Sequence, residues 1–275
     1  MINERQFADS FPDFWQELLP LLTPSCVHLL NVNYEERIHV QHLTPFRVYP
    51  LNVEESLHNE HGLEIADIGT ANEALDAAVI SEFAYHLAKE AFQRKPPMTI
   101  NEAFKNNKIR SIAEKSAFDL INRYEGNKEC SCASLNDAEL DEGYLLATRY
   151  QSFANLHGGA EQLTFQVPIK GCGIIHACYA DIVIGEDCLV EVKTVKRPLS
   201  GKDIRQLVIY LALSSVTNPH LWKHIIFFNP RRATFHRFQA HNLIELTSGG
   251  KSVVDVYTEL LEFVCSSDAQ IDSVF

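Results

Sequence analysis

No apolar stretch of the chain approaches the ~18 residues that a membrane-crossing helix requires, so a helical membrane protein is not expected. The amino terminus, MINERQFADSFPDFWQELL, lacks a basic run followed by an apolar one. No secretory leader is therefore expected, and the chain reads as cytoplasmic. There is no G-x-S-x-G motif and no phosphate-binding glycine loop, so serine-hydrolase and nucleotide-triphosphatase readings have no anchor. There is no internal repeat and no low-complexity linker. The seven cysteines are odd in number and irregularly placed, which points to reduced thiols rather than a disulfide framework. The close pair Cys130-x-Cys132 lacks further ligands at zinc-site spacing. The histidine pairs His39-x-x-His42 and His58-x-x-His61 likewise lack acidic or cysteine partners.

What is present is a chain of 275 residues, long enough for one large domain or two small ones, and hydrophobic enough at 46% to bury a sizeable core. Its formal net charge of −12 argues against a nucleic-acid partner, because phosphates attract basic surfaces. The distribution argues the other way. Residues 161–251 hold 11 Lys/Arg against 7 Asp/Glu and form the one basic segment, between an acidic first part and an acidic end. Charge blocks are often only solvated faces, so this pattern needs a second signal.

Periodicity gives a coarse order. The FADSFPDFWQELLPLL stretch reads as a short helix broken by Pro12 and Pro20. The β-branched stretch CVHLLNVNYEERIHVQHL predicts one or two strands. Two helices are expected over ANEALDAAVISEFAYHLAKEAFQR, stopped by Pro96-Pro97, and over INEAFKNNKIRSIAEKSAFDLINRYEG. Polar residues 125–137 suggest a boundary, dividing an accessory or regulatory α+β region, 1–130, from a second domain, 131–275. Beyond it come a helix ending at Gly158-Gly159 and three strands, LTFQVPI, IIHACYADIVIG and CLVEVKTV. A helix capped by Ser200 with Asp203, two strands around Asn229-Pro230 and a final helix complete the chain. The expected class is α/β, a mixed sheet flanked by helices.

Within that order, Asp181, Glu191 and Lys193 sit in apolar strand surroundings, where charge is costly unless it is paired or holds a metal. Glu191 and Lys193 are two apart and share a sheet face, and a short hairpin can bring Asp181 alongside. Two carboxylates converging at one point favour a hard divalent cation, Mg²⁺ or Mn²⁺. Such an ion polarises phosphoryl oxygens, and a lysine beside it can orient water: a layout for phosphodiester hydrolysis. Glu191-Val192-Lys193 is the chain's one acid-x-lysine tripeptide of this kind, against one or two expected by chance. On the next helix Gln206 and Tyr210, four apart, share a face.

Asp181, then Glu191-x-Lys193, then Gln206-x-x-x-Tyr210, resembles the PD-(D/E)xK nuclease superfamily, and within it the RecB-like branch. The resemblance covers about residues 135–240. It implies a restriction-endonuclease-like mixed sheet and a metal-dependent nuclease, an endonuclease on DNA ahead of RNA, in repair, restriction or phage defence. It implies Asp181, Glu191 and the Val192 carbonyl as metal ligands and Lys193 as the water-orienting group. It gives Gln206 and Tyr210 a role in shaping the site and touching the nucleic acid. It also implies an acid on the helix before the sheet, where Glu139 and Glu142 both interrupt an apolar stripe and Glu142 is preferred. Ala180 stands where the pattern has proline, and the iron–sulfur cysteines of some relatives have no counterpart here. Lys196, Arg197, Lys202, Arg205, Arg231 and Arg232, with His236 and Arg237, are candidate phosphate contacts. No base-reading helix is evident. The acidic first region suggests a partner or regulatory module that restrains the basic site by mimicking phosphate, or a dock for a helicase or ATPase; a homo-oligomer is left open as a separate expectation. The rival reading is a catalytically silent nuclease fold serving as a binding subunit.

Overall fold

The computed structural model describes residues 1–38, 71–125, 134–216 and 222–266. The His39/His42, His58/His61 and Cys130/Cys132 spacings and the expected boundary near residue 130 lie outside those residues. The elements in chain order are α1 (Glu4–Asp9), α2 (Pro12–Leu18), α3 (Pro24–Tyr34), β1 (Glu35–Arg37), α4 (Ala71–Phe92), α5 (Ile100–Lys105), α6 (Asn107–Glu125), α7 (Asp137–Leu156), β2 (Leu163–Ile169), β3 (Cys178–Ile184), β4 (Cys188–Val192), α8 (Gly201–Ser215), β5 (His224–Asn229), β6 (Thr234–Gln239), α9 (Ala240–Ser248) and α10 (Val253–Cys265). The protein is α/β: a six-stranded mixed sheet in the order β1-β6-β5-β4-β3-β2, flanked by helices. Among the described residues no helix is long and apolar enough to cross a membrane.

The chain folds into two compact units, each discontinuous in sequence. One comprises Met1–Glu36, Thr164–Phe228 and Phe235–Phe275; the other Arg37–Leu163 and Asn229–Thr234. In the first, β3 and β4 pair antiparallel and β4 runs parallel to β5. Helix α8 starts at a capping box in which Ser200 and Asp203 satisfy each other's backbone N–H, as the sequence predicts. Its stripe Ile204, Leu207, Val208 and Leu211 is buried against Leu189, Ile225 and Phe227 of the sheet. Each such side chain contributes about 1.5–3 kcal/mol.

The strand expected around Val27–Tyr34 is a helix instead, with only Glu35–Arg37 extended. Thr23 accepts the Cys26 N–H, Pro24 occupies the first turn, and Leu30 is buried. The Asn31 amide then pairs with both backbone groups of Leu199, at 2.9 and 3.0 Å. Capping and packing outweigh the β-branched composition. The single helix expected from Ile100 onward is two, divided at Asn106, which ends α5 and caps the turn that follows. Helix α9 was not foreseen; Gly249, left-handed at φ 77°, closes it.

The second unit is helical. Helix α4 packs on α6 and α7. Gly143 of α7 permits the close approach, since a Cβ there would stand 2.4 Å from the Phe83 ring.

Candidate active site

Strand register sets the centre. Ile182 pairs with Val190, so the next pair outward is Asp181 opposite Glu191, on one face of the sheet. Directly opposed like charges are destabilising, and local contacts answer that cost only in part. The Val192 N–H donates to Asp181 Oδ2 at 2.8 Å. Lys193 Nζ lies 2.9 Å from Glu191 Oε1. Glu191 is 0% exposed, and its Oε2 has no hydrogen-bond partner. Burial, then the charge of Glu191, push the Asp181 carboxyl well above the usual carboxylate range, against the opposing pull of the Val192 N–H, Arg5 and Lys193.

Helix α8 completes the arrangement. Lys193 Nζ donates to Gln206 Oε1 at 2.6 Å, and Gln206 Nε2 donates to the Tyr210 hydroxyl at 2.8 Å. The sequence-expected residues Asp181, Glu191, Lys193, Gln206 and Tyr210 therefore form one connected set. Tyr210 is 2% exposed, and burial with the charges of Glu191 and Asp181 raises its hydroxyl well above the ordinary tyrosine value.

One acid near this set was not anticipated. The Tyr210 hydroxyl donates to Glu4 Oε1 at 3.3 Å, which places the first residue of α1 at the same cluster. The Asn3–Gln6 capping box and burial of Phe7 and Ala8 fix α1 there. Nothing local marks Glu4, because its partner lies some 200 residues away in the chain. The N-terminal acidic composition alone could not have found it.

The two acids considered on α7 have other partners. Glu139 closes the capping box of its helix, accepting the Asn136 N–H at 2.7 Å. Glu142 pairs with Arg231 at 3.0 Å, within the helical unit. Among the described residues, no group of three or more His, Cys, Asp or Glu forms a ready cation cage. Asp181 and Glu191 are still a fitting donor set for Mg²⁺, which is held by one or two carboxylates together with waters and substrate phosphates. The buried, unpartnered Glu191 Oε2 is the observation that supports this fit.

The basic residues are largely engaged within the chain. Arg197 holds Asp203 with two bonds, at 2.6 and 3.0 Å. Lys202 pairs with Asp9, and Arg205 lies over the Trp15 ring at 5.8 Å. Arg231 pairs with Glu142 as above; Lys196, Arg232 and Arg237 are exposed, and Lys196 and Arg232 also interact within the chain. His236 is buried.

Comparison of the chain with protein-family models, with curated proteins and with solved structures finds no match.

Proposed function

We propose that the protein is a metal-dependent nuclease of the restriction-endonuclease-like fold, hydrolysing phosphodiester bonds in DNA. The observation that carries the reading is the hydrogen-bonded run Glu191–Lys193–Gln206–Tyr210 beside an in-register Asp181. Three acids, Asp181, Glu191 and Glu4, gather there against two cations, Lys193 and Arg5, so the buried face keeps negative charge for a metal to offset. Asp181, Glu191 and the Val192 carbonyl would hold Mg²⁺ or Mn²⁺, and the bound ion would supply Lewis-acid polarisation of a phosphoryl oxygen.

The chain's own groups do the remaining work. Gln206 holds the Lys193 ammonium between Glu191 and the helix, so that one of its protons can orient an attacking water. Tyr210, kept protonated by its surroundings, holds the Gln206 amide in place and donates to Glu4. We assign the helix acid of the site to Glu4, in place of Glu142. Lys196, exposed on the segment that follows β4, is the basic residue we assign to a substrate phosphate. Repair, restriction or phage defence is the context such chemistry serves, with a helicase or ATPase as a partner.

The second reading is a silent binding subunit. It is favoured by the internal pairing of Arg197, Lys202 and Arg231, which neutralises much of the basic segment.

The test is cleavage of supercoiled plasmid and of labelled linear single and double strands, in Mg²⁺, Mn²⁺ or EDTA. Metal-dependent cleavage that disappears in Glu191→Gln and Lys193→Met supports the nuclease, and plasmid nicking makes it an endonuclease. Strand retention in a gel shift without cleavage under any metal favours the silent subunit.

A further inference from the structure

Away from the carboxylates, two thiols face each other across the fold. Cys172 Sγ and Cys265 Sγ are 3.4 Å apart, joining the loop before β3 to the last residue of α10. Cys265 is exposed and Cys172 partly so, whereas Cys178 and Cys188 are buried. All of these are free thiols. The backbone around the pair is fixed. Gly173, left-handed at φ 53°, lies so close to Val264 that a Cβ would stand 2.0 Å from the Val264 carbonyl oxygen. The Ile174 N–H donates to that same oxygen at 3.0 Å. The same loop grips the amino terminus: Ile2 N–H donates to the Ile174 carbonyl at 2.8 Å, and His176 N–H to the Ile2 carbonyl at 3.0 Å. Asn3, which caps α1, and Glu4, which accepts from Tyr210, follow directly.

We propose that Cys172 and Cys265 are a peroxide-responsive thiol pair whose disulfide clamps the strap that seats Glu4. The sulfur atoms need to close by little more than an ångström to reach bonding distance, ~2.05 Å, through side-chain rotation. The exposed Cys265 thiolate attacks hydrogen peroxide: an S–O bond forms, the O–O bond breaks and hydroxide leaves, giving a sulfenic acid. The Cys172 thiolate then attacks the Cys265 sulfur; an S–S bond forms, the S–O bond breaks and the departing hydroxide takes up a proton as water. Two thiols and one peroxide thus give a disulfide and two waters. The link closes a loop of more than 90 residues between Cys172 and Cys265, the kind of long closure that most restricts the unfolded chain. Its effect on catalysis rests on the nuclease reading; its formation does not.

The experiment treats the full chain with hydrogen peroxide, quenches it, blocks remaining thiols and maps peptides by mass. Thermal unfolding is recorded in parallel for wild type, Cys172→Ser and Cys265→Ser. The expected result is a Cys172–Cys265 cross-linked peptide, about 2 Da lighter than the two thiol peptides together. A rise in Tm of about 5 °C should accompany it, reversed by dithiothreitol and absent from both variants. Cross-links that form equally in Cys265→Ser, or oxidation that stops at sulfinic acid on Cys265 alone, overturn the proposal. Where the plasmid is cleaved, the temperature at which cleavage is lost should rise with Tm in the wild type alone. A chain that forms the cross-link yet never cleaves sinks the nuclease reading and leaves the clamp standing. A chain that cleaves but never cross-links sinks the clamp alone.

Discussion

The sheet unit and the helical unit each bury acid beside base, and they treat it differently. In the helical unit Arg149 donates to the carbonyls of Pro230 and Arg231 at 2.6 Å, and Arg231 pairs with Glu142. Two arginines there share the one carboxylate of Glu142, Glu142 Oε1 and Arg231 Nη2 lack hydrogen bonds, and the carbonyl contacts of Arg149 tie the residue 229–234 turn to α7. In the sheet unit the order is reversed: two carboxylates, Asp181 and Glu191, directly oppose each other, with Lys193 2.9 Å from Glu191 and the charge of Arg5 also acting on Asp181. Buried charge is costly unless paired. The first arrangement fits a structural cluster, and the second, with carboxylate facing carboxylate, is the one for which a metal ligand is proposed.

The sharpest break between the two is expected in activity. Glu191→Gln retains the shape of the side chain and its oxygen toward Lys193, yet metal-dependent cleavage should fall about 1000-fold. Single-turnover assays with the fold checked by circular dichroism would measure it. Retained cleavage would move the chemistry elsewhere. Conversely, Arg149→Met should leave metal binding intact in whatever protein remains folded, but lower stability by about 3 kcal/mol in urea unfolding. A loss under about 0.5 kcal/mol would mean that this cluster is not structural.

A third prediction concerns acid stability. His86, buried on α4 with its Nε2 unpartnered, is held down at about 4 by burial and the charge of Lys89. Its folded form stays neutral where the unfolded chain takes up a proton. Stability from this group is therefore full above the ordinary histidine value and falls as pH drops toward 4. About 3 kcal/mol should be lost across that window. His86→Leu should remove this slope in denaturant midpoints taken from pH 7 to pH 4; an unchanged slope would exclude His86 as its source.

The smallest effect sharpens the comparison most. Asp181 has a raised carboxyl, so the metal-free fold is favoured by its protonated form; that contribution is full below the ordinary aspartate value and is lost as pH rises through the raised one. Asp181→Asn retains an acceptor for the Val192 N–H. In EDTA at pH 7 it should unfold about 1 kcal/mol later than wild type, measured by urea midpoint. Destabilisation instead would mean that the Asp181 charge holds the fold together.

The sequence carried the parts of this picture that are local. Alternation set Glu191 and Lys193 on one face, the short hairpin aligned Asp181 with them, and Ser200 with Asp203 announced the start of α8. The Gln206–Tyr210 contact follows from four-residue spacing. Glu4 was not legible, since it reaches Tyr210 only through packing of α1 on α8. Nor were the partners of Arg197, Lys202 and Arg231 legible: a lone basic residue looks the same in sequence whether it faces a phosphate or a distant carboxylate. Helix α3 is masked by the alternating, β-branched look of its stretch, while its start signal, Thr23-Pro24, lies just ahead of it. The discontinuous units were hidden for the same reason as Glu4, since they depend on contacts between remote segments.

The most direct measurement is calorimetric titration of Mn²⁺ into metal-free wild type, Asp181→Asn and Glu142→Gln, each first shown to be folded. The account predicts binding by wild type and by Glu142→Gln, with Asp181→Asn silent. Binding that survives in Asp181→Asn and is lost in Glu142→Gln, or no binding by wild type, would contradict it.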